Sequence, residues 1–202
     1  MNSSEFFNAL NRSEINEHKK VSSFGRLLVG ITGGIAFGVT VICIPFITPA
    51  LRKVCLPYVP ATNNQIKNIL LALEGRSGTL LDLGSGDGRV VLETAKNKFV
   101  SHGVELNRWL VYYSKLSALK NGLASCTKFY QRDLWKYNIS AYDNIVIFGV
   151  EQMMNDLEKK FQSECKENCY IIACRFPLPN WTPIRTLGHG IDKVWIYDRK
   201  KF

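Results

Sequence analysis

Leu80-Leu81-Asp82-Leu83-Gly84-Ser85-Gly86-Asp87-Gly88-Arg89 runs from an apolar stretch into a loop with glycine at alternate positions, and helical spacing follows it. Glycines at alternate positions let a backbone turn sharply and approach a ligand closely. A helix opening after such a loop presents free N–H groups and the positive end of its dipole. The dinucleotide fingerprint G-x-G-x-x-G would need its third glycine at position 89, which is Arg89. The spacing is instead G-x-G-x-G, with Asp82 two residues before the first glycine.

Outward from this stretch, strands and helices alternate. Strands are expected at 79–83, 103–106, 127–131, 144–148 and 170–174. Helices are expected at 62–74, 88–98, 107–121 and 153–164. The first opens on a capping box, Thr62 with Gln65. The third would turn Leu110, Val111, Leu116 and Leu119 to the core. The run 144–148 is uncharged and rich in β-branched residues, as in a central parallel strand. After Arg175 the pattern becomes Pro- and Gly-rich, and 183–187 with 193–198 reads as a terminal antiparallel hairpin. Strands separated by helices imply an α/β fold: a Rossmann-like, seven-strand sheet covered on both faces.

Two further acids strengthen the reading of the loop. Glu105 ends the second expected strand and Asp133 follows the third. With Asp82 they sit at carboxyl ends of parallel strands, where open α/β sheets bind ligands. The combination resembles motif I of class I S-adenosylmethionine-dependent methyltransferases. That resemblance implies S-adenosyl-L-methionine as cofactor, with the loop packed on its methionyl and ribose portions. Glu105 would accept from the ribose hydroxyls and Asp133 from the adenine amino group. The implied cofactor-binding set is Asp82, Gly84, Ser85, Gly86, Gly88, Glu105 and Asp133. No metal site is expected, since no cysteine pair has C-x-x-C spacing. The six cysteines read as reduced, mostly buried thiols.

The N-terminal quarter has a different character. Residues 27–48 contain no charge, enough helix to cross a ~30 Å hydrocarbon core at 1.5 Å per residue. Gly30, Gly34 and Gly38 fall at four-residue steps, a spacing that permits helix-mediated self-association. The chain thus divides into a polar segment (1–24), a membrane-anchoring helix in contact with lipid (25–50), a Pro-containing linker (51–61) and a methyltransferase domain (62–202). The first segment contains Glu5, Glu14 and Glu17, so a cleaved transit peptide is not expected. The formal net charge is +9, but the basic residues are scattered and no run of five occurs. This favours a solvated or membrane-facing basic surface over a nucleic-acid site.

The segment after the fourth strand usually faces the methyl acceptor. Here it reads Phe148-Gly149-Val150-Glu151-Gln152 and lacks the Asn-Pro-Pro-Tyr motif of enzymes that methylate bases. Glu151 reads as a helix-capping acid rather than a base. A lysine acceptor must be neutral to attack, and only on the order of 0.5 % is neutral near pH 8. Desolvation beside a sulfonium favours the neutral amine. Tyr58, Trp135, Gly149, Gln152, Phe176 and Trp181 are candidates for the acceptor channel. Met153 and Met154 read as core.

The chain also resembles a more particular family, the mitochondrial lysine N-methyltransferases that act on the ATP synthase c subunit and on the adenine nucleotide translocase. The resemblance covers 27–198. It rests on Thr48-Pro49-Ala50-Leu51-Arg52-Lys53-Val54-Cys55-Leu56-Pro57, Tyr58-Val59-Pro60-Ala61-Thr62, the glycine loop, Gly103-Val104-Glu105-Leu106-Asn107, Asp133-Leu134-Trp135-Lys136, Arg175-Phe176-Pro177-Leu178-Pro179 and Val194-Trp195-Ile196-Tyr197-Asp198. It implies a single-pass protein of the mitochondrial inner membrane with its catalytic domain in the matrix, and the c subunit as protein substrate. Arg108 and Glu151 depart from the family pattern, which has proline at both places. Other readings are a methyltransferase of the translocase, of RNA or of a small molecule, and a non-catalytic cofactor-binding assembly factor.

Overall fold

The structure, a computed structural model, describes residues 23–47 and 59–202. The chain divides into two units, residues 1–44 and 45–202. In the first, helix α1 (Ser23–Ile47) contains a 21-residue stretch, Ser23–Cys43, long and apolar enough to cross a membrane and with none of it buried. Cβ atoms added at Gly30, Gly34 or Gly38 would meet nothing within 4 Å, so that face is open.

The second unit is built on a seven-stranded sheet. Its strands are β1 (Thr79–Leu83), β2 (Val100–Glu105), β3 (Thr127–Gln131), β4 (Asn144–Phe148), β5 (Tyr170–Cys174), β6 (Arg185–Leu187) and β7 (Val194–Asp198). Their order is β3-β2-β1-β4-β5-β7-β6. The first five are parallel, and β7 pairs antiparallel with β5 and with β6. The helices are α2 (Asn63–Ala72), α3 (Arg89–Lys96), α4 (Arg108–Lys120) and α5 (Glu151–Glu164). The expected Rossmann-like sheet with a terminal antiparallel hairpin is therefore the observed one. Strand β2 begins three residues before the expected start, and the hairpin's first arm is only the last three residues of the stretch expected for it.

Period-two alternation gives the sheet two apolar faces. On one, Leu81, Ile145, Ile147 and Ile171 pack with Met153, Leu157 and Phe161 of α5. On the other, Leu80, Val146, Ile172 and Ile196 pack with Ile69 of α2 and Val90 of α3. Burying each such side chain contributes roughly 1.5–3 kcal/mol. The Thr62–Gln65 capping box is present, with both reciprocal bonds at 3.0 Å. Helix α4 departs from expectation: Val111, Ser114 and Ala118 are buried, while Leu116 and Leu119 are 66 % and 67 % exposed. Small residues rather than leucines let α4 approach the sheet.

The two edges of the parallel sheet differ. At its N-terminal edge, side chains tie the strands together. The Asp143 carboxylate accepts from the Thr79 amide (2.8 Å), and Arg76 Nε donates to Asn144 Oδ1 (3.1 Å). Lys166 donates to Asp143 at 2.6 Å. At the C-terminal edge the loop after β5 is held by a buried carboxylate. Glu158 of α5, 6 % exposed, accepts from the Asn180 amide (2.8 Å), Asn180 Nδ2 (2.9 Å) and the Trp181 amide (3.2 Å). Trp181, a candidate channel residue in the sequence, is instead 7 % exposed, with its ring edge-on to Tyr197 and stacked on Phe202. It is core, because its rings close the end of the sheet. Replacing Glu158 by Ala orphans those donors and should lower unfolding free energy by about 2–3 kcal/mol, measured by urea denaturation.

Candidate functional site

Strand β1 delivers Asp82 into the interior beside the glycine loop. Its register opposite Val146 of β4 places it on the face that packs against α2 and α3. The residue is 1 % exposed, and its Oδ1 is buried with no hydrogen-bond partner. Burial, then the Glu105 carboxylate, then the Asp87 carboxylate push its pKa up to about 8. Burial and the same Asp82 charge also push the Cys174 thiol well up, against the opposing pull of Arg175.

The loop that follows is tightly constrained. Gly88 has φ +80°, and a Cβ there would lie 2.7 Å from Ser114 Oγ and 2.8 Å from a Phe129 ring carbon. Gly103 of β2 allows the loop to lie against the sheet: a Cβ would meet Ser85 Oγ at 2.5 Å. The amides of Gly84 and Ser85 both donate to the Val104 carbonyl, at 2.8 and 3.0 Å. The Gly88 amide donates to the Ser85 carbonyl (2.8 Å) and the Gly86 amide to Glu105 Oε2 (3.1 Å). These amides are therefore engaged within the protein and do not form an open anion nest of the kind that cradles phosphates.

Glu105, at the end of β2, joins the loop to the next helix. Its second oxygen accepts from the Asn107 amide at 2.8 Å. Asn107 in turn caps α4 through the Trp109 amide. Asp133 follows β3; its Oδ1 accepts from the Trp135 amide at 3.0 Å, fixing the turn. Asp87 is paired with Arg89 at 2.6 Å, and Arg89 Nη1 also donates to the Ala61 carbonyl at 2.8 Å. The structure thus brings Glu105 and Asp87 close enough to Asp82 to disfavour its charge, and sets Asp133 just past the end of β3. Ser85 Oγ is a second buried atom without a partner. An acid-lined site with spent amides and an unpartnered buried carboxylate suits a cationic ligand and not a pyrophosphate. S-adenosylmethionine, a sulfonium bearing an α-ammonium, fits that donor set.

The acceptor-side candidates fall in different places. Gly149 is buried, where a Cβ would meet Met154 Sδ at 2.5 Å; Gln152 is exposed in the first turn of α5. Phe176 packs partly against the core, and Trp135 is 40 % exposed. Tyr58 lies outside the described residues. Glu151 stands in the first turn of α5, exposed, as a helix-dipole acid would. Glu158 had no signal in the sequence, and Arg175 had one only as the first residue of the stretch Arg175-Phe176-Pro177-Leu178-Pro179. Glu158 fixes the loop after β5, and Arg175 opens that loop at φ +73° with its Nε buried and unpartnered. Among the described residues no cluster of side chains could hold a metal ion. A groove of about 550 Å³ lies between α2, α3 and α4, lined by Ile66, Lys67, Arg89, Leu92 and Tyr113. It touches neither Asp82, Glu105 nor Asp133 and is not the candidate cofactor site.

The raised pKa of Asp82 has a defined sign in stability. The folded ligand-free protein holds this proton up to about pH 8, whereas the unfolded chain releases it near 3.8. Stability therefore falls as pH rises through that window. Asp82→Asn should stabilise the ligand-free protein by about 2 kcal/mol or more at pH 9 and by little below pH 4, read as thermal midpoints across pH.

Residues 82–185 match the family model described as the ANTKMT methyltransferase domain, and residues 20–52 match that of the N-terminal domain of the ATP synthase c-subunit lysine N-methyltransferases. The human ATP synthase c-subunit lysine N-methyltransferase is 52 % identical over 189 residues, covering 94 % of this chain and 81 % of that protein. The mouse adenine nucleotide translocase lysine N-methyltransferase is 36 % identical, over 85 % and 77 %. A Salinibacter ruber RNA methyltransferase solved with S-adenosyl-L-homocysteine superposes with a TM-score of 0.67 at 24 % identity, over 71 % of this chain and 95 % of that one, which speaks for the fold alone. From the glycine loop to the hairpin, and through the apolar segment before it, the chain belongs to the family of ATP synthase c-subunit lysine N-methyltransferases.

Proposed function

We propose that this chain transfers the methyl group of S-adenosylmethionine to a lysine of the ATP synthase c subunit while anchored in the mitochondrial inner membrane with its catalytic domain in the matrix. As a member of its family it is an S-adenosylmethionine-dependent protein-lysine N-methyltransferase. The observation that carries the site assignment is the buried Asp82 carboxylate with its unpartnered oxygen, beside a glycine loop whose amides are already spent. The substrate rests on what the 52 % identical human relative is named for. The anchoring rests on the exposed apolar stretch Ser23–Cys43, and the division of the chain at 25–50, 51–61 and 62–202 follows from it.

When bound, the cofactor supplies an electrophilic methyl group on a positively charged sulfur. The chain's own residues do the rest. Asp82, Gly84, Ser85, Gly86 and Gly88 hold the methionyl end, with Asp82 as counter-charge. Glu105 keeps lone pairs free, beyond the two amides it accepts from, to receive the ribose hydroxyls. Asp133 closes the adenine side. On the acceptor side, Gly149, Gln152, Phe176 and Trp135 are the described candidates for the approach of the lysine. No acid or base is needed beyond solvent: the lysine would accept the methyl group as the neutral amine, and the methylated ammonium would then lose its proton to water. Positioning in a desolvated channel supplies the acceleration.

The direct test is intact mass of purified c subunit after incubation with cofactor and this protein in lipid. A methyl-sized gain mapped to one lysine is expected, and label appearing only in RNA would contradict the proposal. Asp82→Ala should lower the rate by at least about 100-fold through lost cofactor binding, measured by initial-rate mass spectrometry. An unchanged rate would remove Asp82 from the site.

A further inference from the structure

We infer that the outer face of α4 is a membrane-surface contact that lies on anionic phospholipid and holds the catalytic domain against the bilayer. The inference rests on the proposed membrane-bound role but on different residues. Helix α4 buries Val111, Ser114 and Ala118 against the sheet. At 100° per residue, the opposite side carries Trp109, Tyr112, Tyr113, Leu116 and Leu119, spaced as one stripe. These are 37 %, 61 %, 59 %, 66 % and 67 % exposed, and Leu106, just before the helix, is 39 % exposed. An apolar stripe of this size along one helix face marks an interaction surface.

The chemistry of the stripe selects its partner. From Asn107 to Arg132 every charged residue is basic: Arg108, Lys115, Lys120, Lys128 and Arg132, all exposed. No acid interrupts a segment that contains the whole of α4 and β3. Tryptophan and tyrosine settle at the headgroup level, leucines reach the acyl boundary, and basic side chains at the rim meet lipid phosphates. A second copy of this chain would set its own basic rim against this one, which charge complementarity opposes. Arg108 lies over the Trp109 ring, 5.4 Å from its centroid, so cation and aromatic are already presented together. The helix starts just after Glu105, at the ligand edge of the sheet. Lipid contact along it would bring the mouth of the candidate site beside the bilayer surface, within reach of a lysine at the membrane boundary.

The test uses the full chain reconstituted into vesicles of brominated phosphatidylcholine and phosphatidylglycerol, with brominated phosphatidylcholine alone as the neutral arm. Flotation reports anchoring, and the difference in tryptophan quenching between the wild type and Trp109→Phe reports Trp109 alone. Cofactor binding by calorimetry confirms that each variant is folded. The inference predicts that Trp109 loses more than half of its emission in the anionic vesicles. It also predicts that Arg108→Gln/Lys115→Gln/Lys120→Gln at least halves that loss while flotation persists. Flotation without Trp109 quenching overturns the inference and leaves anchoring intact. Failure to float overturns both. Quenching that is equal in the neutral vesicles, or that appears only after the c-subunit protein or RNA is added, also overturns it.

Discussion

A carboxylate buried at the end of a central strand, with one oxygen that no protein donor reaches, is the constraint on which the rest of this molecule turns. Asp82 is desolvated by the packing of the sheet, and Glu105 and Asp87 repel the charge it would carry. The ligand-free protein therefore holds it protonated at neutral pH, at a cost in stability relative to a neutral side chain at higher pH. Folding alone does not call for such a group. A cation that arrives with its own hydrogen-bond donors relieves both the repulsion and the missing bond.

The surrounding architecture serves that one position. Parallel register sets the ends of β1, β2 and β3 side by side, so Asp82, Glu105 and Asp133 share an edge. The opposite edge is tied by Arg76, Thr79, Asp143 and Lys166. The glycine loop spends its amides on Val104, Ser85 and Glu105. This rigidifies the turn and separates it from phosphate-binding loops of similar sequence. Glu158 braces a second loop, the one that follows β5. The glycine loop is thus braced by the half-buried Glu105, and the loop after β5 by the buried Glu158.

Much of this is legible in the sequence because it is written in local patterns. Four strands, β1, β3, β4 and β5, stand at their expected limits, since each is a short run closed at its carboxyl end by an arginine or a glycine. The capping box at Thr62 is likewise local. What is not legible depends on three-dimensional partners. The start of β2 escapes a reading of the pattern because Ser101 and His102 are polar but sit inside a covered sheet. Helix α4 is read correctly at Val111 but not at Leu116 and Leu119, which are apolar yet exposed, whereas Ser114 and Ala118 are small enough to pack. Trp181 reads as a channel wall because the stack with Phe202 joins residues far apart in the chain. Glu158 carries no motif, and Arg175 enters only as the first residue of a longer one; their structural roles follow from a buried triple acceptor and a left-handed backbone.

The central claim is electrostatic, and proton counting tests it directly. If the cationic cofactor compensates Asp82, binding near pH 7 must expel the proton this carboxylate holds, because a neighbouring cation lowers its pKa from about 8. Titration calorimetry with S-adenosylmethionine in buffers of different ionisation enthalpy should show most of one proton released per site at about pH 7, where the ligand's α-amino group is still largely protonated, and net uptake in place of release at about pH 9.5, where that group must gain a proton to bind as the cation. Methylthioadenosine, which lacks both the sulfonium and the ammonium, should release none. Proton release that is absent with S-adenosylmethionine, or equal with the neutral nucleoside, would contradict the account.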